Sequence, residues 1–213
     1  MYIPKHFEQT EPVMLHALIR DHALATLVVH GPGGLIANHL PLALRPSEGP
    51  HGSLVGHVAR ANPLWQLAAN GLDCLAIFSG RHHYISPNGY ATRQGGGRVV
   101  PTWNYEVVHV HGRLVAVEDG AWIHAVLTDA VATHEAAERT PWTLAEPPAD
   151  FLQSMLKAIV GIRLEITSVT GKFKLSQNQP DENRQTLVAA LRDKGRPEST
   201  EMAQAILAHS PRR

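Results

Sequence analysis

Hydrophobic and polar positions alternate with a period of two along much of this chain, a pattern that predicts strands more often than helices. The longest such run covers residues 102–117. Glu106, Val108, Val110, Gly112, Leu114 and Ala116 fall on one face; Tyr105, Val107, His109, His111, Arg113 and Val115 fall on the other. Residues 24–30 and 35–44 form a predicted hairpin about the turn Gly31-Pro32-Gly33-Gly34. Further strands are expected at 53–58, 72–79, 82–86, 161–169 and 172–176. Helical spacing appears at 10–22, 150–159, 181–194 and 197–209. Asn62-Pro63 opens a short helix to Asn70, and Asp119 caps one running to about His134.

Strands and helices do not alternate regularly, which argues against a doubly wound parallel sheet. The expected architecture is mainly β (α+β): a closed antiparallel barrel with peripheral and C-terminal helices. Residues 1–180 are expected to form the barrel domain, with 181–213 a helical extension packed on it. Residues 87–97 read as a Gly-rich loop, placed where loops often serve a site.

Composition narrows the function. Apolar residues make up 44% of the chain, enough to bury a core, so the signature of disorder is absent. Nineteen basic residues balance nineteen acidic ones, and no basic stripe stands out, so the sequence lends DNA binding little support. Cys74 is the single cysteine, which excludes an internal disulfide and a Cys-based zinc cluster; within its apolar run it reads as a buried strand residue. The N-terminus lacks a signal-peptide layout, and no apolar run approaches the ~18–20 residues of a membrane span. A cytoplasmic protein without a membrane segment is the expectation. Of the fourteen histidines, His109 and His111 share a strand face and could supply two ligands, but no third accompanies them, and no metal site is expected.

Four polar clusters could carry binding chemistry, and each also has an ordinary structural reading. Asn38-His39-Leu40-Pro41 places a proline in a strand, which suits an edge whose backbone groups stay free for a planar heterocycle, or simply a strand end. His57, Arg60 and Asn62 run from a strand into a helix N-terminus, a place for phosphate or an ordinary capped helix. Thr102-Trp103-Asn104-Tyr105 gathers hydroxyl, indole, amide and phenol donors at a strand start; they suit a flat polar ligand or fill a barrel end. Lys174 and Gln177 lie in a polar segment whose amides can donate and accept, as a flavin's pyrimidine edge requires, or form a plain turn. No nucleophile elbow, Walker loop or dinucleotide fingerprint is present.

Taken together and in order, these segments resemble the PaiB family, described as FMN-binding negative transcriptional regulators. The likeness runs through Met1-Tyr2-Ile3-Pro4, His39-Leu40-Pro41-Leu42, Gly56-His57-Val58-Ala59-Arg60-Ala61-Asn62-Pro63 and Tyr84-Ile85-Ser86-Pro87. It continues through Val100-Pro101-Thr102-Trp103-Asn104-Tyr105, Val108-His109-Val110-His111-Gly112, Ile159-Val160-Gly161 and Lys174-Leu175-Ser176-Gln177-Asn178. The resemblance implies an FMN-binding split β-barrel working as a homodimer, with the flavin at the subunit interface. It implies that Arg60, Asn62, Thr102, Asn104 and Tyr105 hold phosphate and ribityl, with Trp103 beside them. Asn38, His39, Leu40 and Pro41 would lie near the ring system, and His57, Lys174 and Gln177 would reach in from elsewhere, the partner subunit included. Gly89 departs from the family's pattern, removing a large ring from the loop next to the site.

The leading function is a flavin-dependent redox protein or sensor with a negative regulatory role. Two alternatives stand beside it: a regulator contacting DNA or a protein partner without redox catalysis, and a detoxification oxidoreductase acting on a haem, flavin or nitro compound. No catalytic residue is assigned, and fold alone does not choose among these.

Overall fold

The computed structural model describes residues 1–209, so the last four positions of the expected C-terminal extension lie outside the described residues. The strands are β1 (Glu8–Gln9), β2 (Leu24–Gly31), β3 (Gly34–Pro41), β4 (Ala43–Arg45), β5 (Ser53–Ala59), β6 (Leu72–Ile85), β7 (Thr102–Val117) and β8 (Ile159–Lys174). The helices are α1 (Pro12–Asp21), α2 (Leu64–Leu67), α3 (Gly120–Glu135), α4 (Ala149–Lys157), α5 (Asp181–Asp193) and α6 (Pro197–Ala208). The strands form one sheet in the order β3-β2-β6-β7-β8-β5-β4, with β1 on β8. Every pairing with a described register is antiparallel. Among the described residues, no helix is long and apolar enough to cross a membrane.

Two compact units emerge. One comprises Met1–Leu18, Ser79–Val108 and the chain from Thr170 onward; the other comprises Ile19–Phe78 and His109–Val169. In the second unit, the β2–β3 hairpin pairs Leu24 with Pro41 and Gly31 with Gly34, and β5 pairs with β8 from Ser53–Glu165 to Ala59–Ile159. Its core buries Leu27, Leu54, Phe78, Leu114, Ile162 and Leu164 completely or nearly so. In the first unit, α5 and α6 pack through Leu187, Leu191, Met202 and Ile206, all at most 2% exposed.

β7 follows its sequence pattern: every even position from 104 to 114 is buried, while the odd side carries exposed or half-buried residues. Two other strands are longer than their patterns suggested. β6 runs unbroken where the sequence predicts two strands, at 72–79 and 82–86. The cause is a change of face. Ser79 is exposed and Gly80 buried, yet His82 and Tyr84 are exposed and Ile85 buried, the shift of parity that a bulge produces. Gly80 permits it, since a Cβ there would stand 3.0 Å from Leu18 and 3.2 Å from Glu106. β8 likewise joins the segments expected at 161–169 and 172–176. Conversely, the strand expected at 35–44 divides at Leu42, which is buried and donates its N–H to Ala23 O (2.9 Å). The helix expected from Asn62 to Asn70 shrinks to the single turn of α2.

Candidate functional site

The first unit carries an exposed group of rings. Trp103 stands 53% exposed at the start of β7, and Tyr84 is 45% exposed on β6. Their centroids are 5.9 Å apart in an edge-to-face arrangement, and the His82 ring lies 6.3 Å from Trp103. Apolar rings left open to water at this density mark a surface that something planar or apolar can cover. The change of exposed face after Gly80 leaves His82 and Tyr84 outward, which is how β6 contributes to the shelf.

In the same unit, Lys174 Nζ donates to Thr102 Oγ1. Lys172 is 9% exposed; its Nζ donates to Tyr2 O (3.2 Å) and lies 5.3 Å from the Tyr105 ring and 5.7 Å from the Tyr2 ring. Burial lowers the Lys174 pKa; the Tyr105 phenol opposes that shift and the Lys172 charge adds to it. No carboxylate forms an ion pair with either lysine among the described residues.

Other polar groups of this unit are already engaged. Asn104, fully buried, donates from Nδ2 to Ser176 Oγ (2.9 Å). Ser176 is the one non-glycine residue with a positive φ (63°) among the described residues; burial raises the Tyr90 pKa, and the Ser176 hydroxyl opposes that shift. Gln177 closes its own turn: its Oε1 accepts from Leu175 N (2.7 Å) and its Nε2 donates to Phe173 O (2.5 Å). Arg81 reaches the buried Glu106 carboxylate through two bonds of 2.6 and 2.9 Å. The loop after β6 is strapped to α5. Thr92 N and Oγ1 donate to Asn183 Oδ1 (3.0 and 3.1 Å), and Ala91 N donates to Thr186 Oγ1 (3.1 Å). Gly89 belongs to that strap: a Cβ there would lie 3.0 Å from Leu187 and 3.5 Å from Ala190. The missing ring at 89 therefore makes room for helix α5, where the sequence suggested a change beside the ligand.

The second unit holds the other predicted residues. Asn62 Nδ2 donates to Asn38 Oδ1 (2.8 Å), and Asn62 Oδ1 accepts from Leu64 N (3.0 Å). Arg60 spends its donors on the protein: Nε on Lys157 O (2.9 Å), Nη1 on Glu118 (2.8 Å) and Nη2 on Ile159 O (3.2 Å). Its guanidinium lies 5.6 Å from the Trp65 ring, and Trp65 Nε1 donates to Arg60 O (2.9 Å). The helix anticipated after Asn62-Pro63 is the single turn α2, and its Leu64 N–H donates to Asn62 Oδ1. His39 bonds Thr26 Oγ1 through Nδ1 (3.1 Å), and alternation along β3 places Asn38 and Leu40 on the opposite face from His39 and Pro41. His57 is half-buried opposite Gly161, and burial lowers its pKa. Cys74 is buried with its thiol pKa pushed up to about 12, first by burial and then by Asp73, which leaves it an inert core residue. No group of three or more His, Cys, Asp or Glu that could hold a metal occurs among the described residues.

Thr102, Trp103, Tyr105 and Lys174 thus gather with Tyr84 and His82 in one unit, while Asn38, Arg60 and Asn62 form a bonded corner of the other. Sequence reasoning missed Lys172. Its signal was the Lys172-Phe173-Lys174 spacing, which repeats a cation at the strand period.

Residues 1–168 match the family described as "Putative FMN-binding domain". The chain is 31% identical over 208 residues to the Protease synthase and sporulation protein PAI 2 of Bacillus subtilis (strain 168), covering 97% of this chain and 96% of that protein. Among solved structures it resembles the FAD and haem binding protein from Mycobacterium smegmatis, with TM-score 0.57, 17% identity, and coverage of 86% of this chain and 80% of that one. It also resembles the flavocytochrome Anf3 from Azotobacter vinelandii, with TM-score 0.61, 15% identity, and coverage of 81% and 72%. These two likenesses show the fold, that of the flavin-binding split barrels. The chain is a member of the PaiB family of FMN-binding split-barrel proteins.

Proposed function

We infer that this protein binds FMN on the face of the first unit that carries Trp103, and that it works as a flavin-dependent redox protein or sensor with a negative regulatory output. The carrying observation is the exposed shelf of Trp103, Tyr84 and His82, with Thr102 the residue before Trp103 on the same strand. FMN brings a planar ring system, a hydroxylated chain and a phosphate; the open rings, the Thr102 hydroxyl and the Tyr105 phenol are donors and surfaces of the matching kinds. Bound FMN would supply hydride and electron chemistry through its own ring, with the protein supplying position and electrostatics. Arg60, Asn62, Asn104 and Gln177 support the frame in this reading, since each already bonds protein groups.

A homodimer is part of the proposal. The outward side of β2, β3 and β6 in the second unit leaves Leu24 67% and Leu35 78% exposed, with Val28 and Ile77 half-buried beside them. A second copy would cover this surface. The regulatory output is favoured by the relative named for protease synthesis and sporulation. The zero net charge favours action through a protein partner over direct DNA binding, and the cytoplasm is the proposed location.

The test is the visible spectrum of the purified protein followed by FMN titration with flavin fluorescence. Saturable quenching that Trp103→Ala weakens about tenfold, the size expected from one lost ring contact of ~1–1.5 kcal/mol, supports the reading. A colourless protein with no quenching at high FMN overturns it.

A further inference from the structure

Lys172 and Lys174 present a charge that the protein does not balance. They sit two residues apart on β8, one nine-tenths buried and the other half-buried. Lys172 Nζ has one hydrogen bond, to Tyr2 O, and Lys174 Nζ has one, to Thr102 Oγ1. An ammonium can donate three, so each retains unused donors. Among the described residues neither forms an ion pair, although Arg45, Arg60, Arg81, Arg163 and Arg184 all do. A buried charge without a partner is costly, and two like charges on neighbouring positions of one strand compound the cost. The rings of Tyr2 and Tyr105 against Lys172 offset part of it, but they carry no net negative charge. The Thr102 hydroxyl and the Tyr105 phenol add neutral donors to the same cluster.

We propose that Lys172 and Lys174, with Thr102, form an anion site that takes the phosphate monoester of the bound ligand. A dianion with three acceptor oxygens matches two ammoniums and a hydroxyl in charge and in hydrogen-bonding capacity. The proposal rests on the FMN reading for the identity of the ligand but not for the existence of the site. Thr102 adjoins Trp103 at the start of β7, where strand alternation sets the two side chains on opposite faces, so the anchor and the ring shelf share a strand end and not a face. The anchor lies on β8, away from the Arg60 corner to which sequence spacing pointed.

The experiment compares FMN with riboflavin, which has the same ring and chain without the phosphate. Both are titrated by flavin fluorescence against the wild type, Lys172→Met, Lys174→Met and Lys174→Arg. In parallel, the thermal midpoint of each protein is followed as inorganic phosphate is added. The expected result is a loss of about tenfold or more in FMN affinity for each Met variant, the size of one charge-assisted contact. Riboflavin affinity should stay within twofold, Lys174→Arg should recover most FMN binding, and phosphate should raise the midpoint of the wild type only. FMN and riboflavin weakening together would mean a structural role only and would overturn the proposal, as would Met variants that bind FMN like the wild type. Should Lys172→Met fail to fold, the less buried Lys174→Met decides. If the wild type binds neither flavin, the FMN reading fails by itself. The phosphate arm then judges the anion site: lysine-dependent stabilisation sustains it, and its absence overturns it.

Discussion

Two polar regions of this molecule look alike in sequence and differ in what they have left to offer. At the corner after β5, Arg60 donates through Nε, Nη1 and Nη2 to Lys157 O, Glu118 and Ile159 O, and Asn62 is shared between Asn38 and the first turn of α2. At the start of β7, Trp103 and Tyr84 stand open, and Lys172 and Lys174 have no carboxylate partner among the described residues. A donor's chemical type makes it a candidate ligand; its existing partners decide whether it is free to become one. The corner uses its hydrogen bonds to join β5, α2 and the start of β8, whereas each lysine of the strand end makes one bond of the three it can donate.

Substitutions can break this comparison or sharpen it. The largest effect is expected for Arg60→Ala, which removes three bonds and the ring contact with Trp65. Urea unfolding should show a loss of about 2 kcal/mol, reduced by the half-exposed setting of the side chain, with FMN affinity unchanged within twofold. Loss of FMN binding by a folded, fully stable Arg60→Ala protein would reverse the roles given to the two regions. Asn62→Ala should cost about 1 kcal/mol through the lost cap, again without changing flavin titrations.

The smallest effect is a pH dependence at His57. Burial holds its folded-state pKa below the ordinary 6.5, so the unfolded chain takes up the proton more readily. The stability from keeping this ring neutral is complete above that value and is lost as pH falls from 6.5 towards the lower folded pKa. His57→Gln should therefore flatten the decline of the thermal midpoint between about pH 6.5 and pH 5. An unchanged slope would assign the acid sensitivity to other groups, with His109, whose pKa burial also lowers, the next to replace.

Much of the fold was legible because local rules act on it directly. The period of two in β7 marked its buried face at Val108, Val110 and Leu114, and the turn 31–34 marked the hairpin. The Asp119 cap donated its signal as expected, accepting from Ala121 N (2.8 Å) and Trp122 N (3.2 Å). The rest depended on contacts distant in sequence. β6 read as two strands because the exposed face changes at Gly80, and the reason for that change, close approach to Leu18 and Glu106, lies elsewhere in the chain. That Gly89 packs against Leu187 of α5 was likewise invisible, because the two are distant in sequence.

The same division runs through the candidate site. By itself the sequence determined the family, the antiparallel β architecture with its outer helices, and the residue types able to meet a flavin, because these follow from periodicity, turn chemistry and ordered motifs. Only the tertiary structure decided which of those residues have donors to spare. Asn104 and Gln177 carry suitable amides in any reading of the chain. Folding sets Asn104 on Ser176 and turns Gln177 onto its own backbone, while Lys172 is left as a buried cation that forms no ion pair among the described residues. The physical reason is that hydrogen-bonding capacity belongs to the side chain, whereas its consumption depends on neighbours that the fold alone brings together.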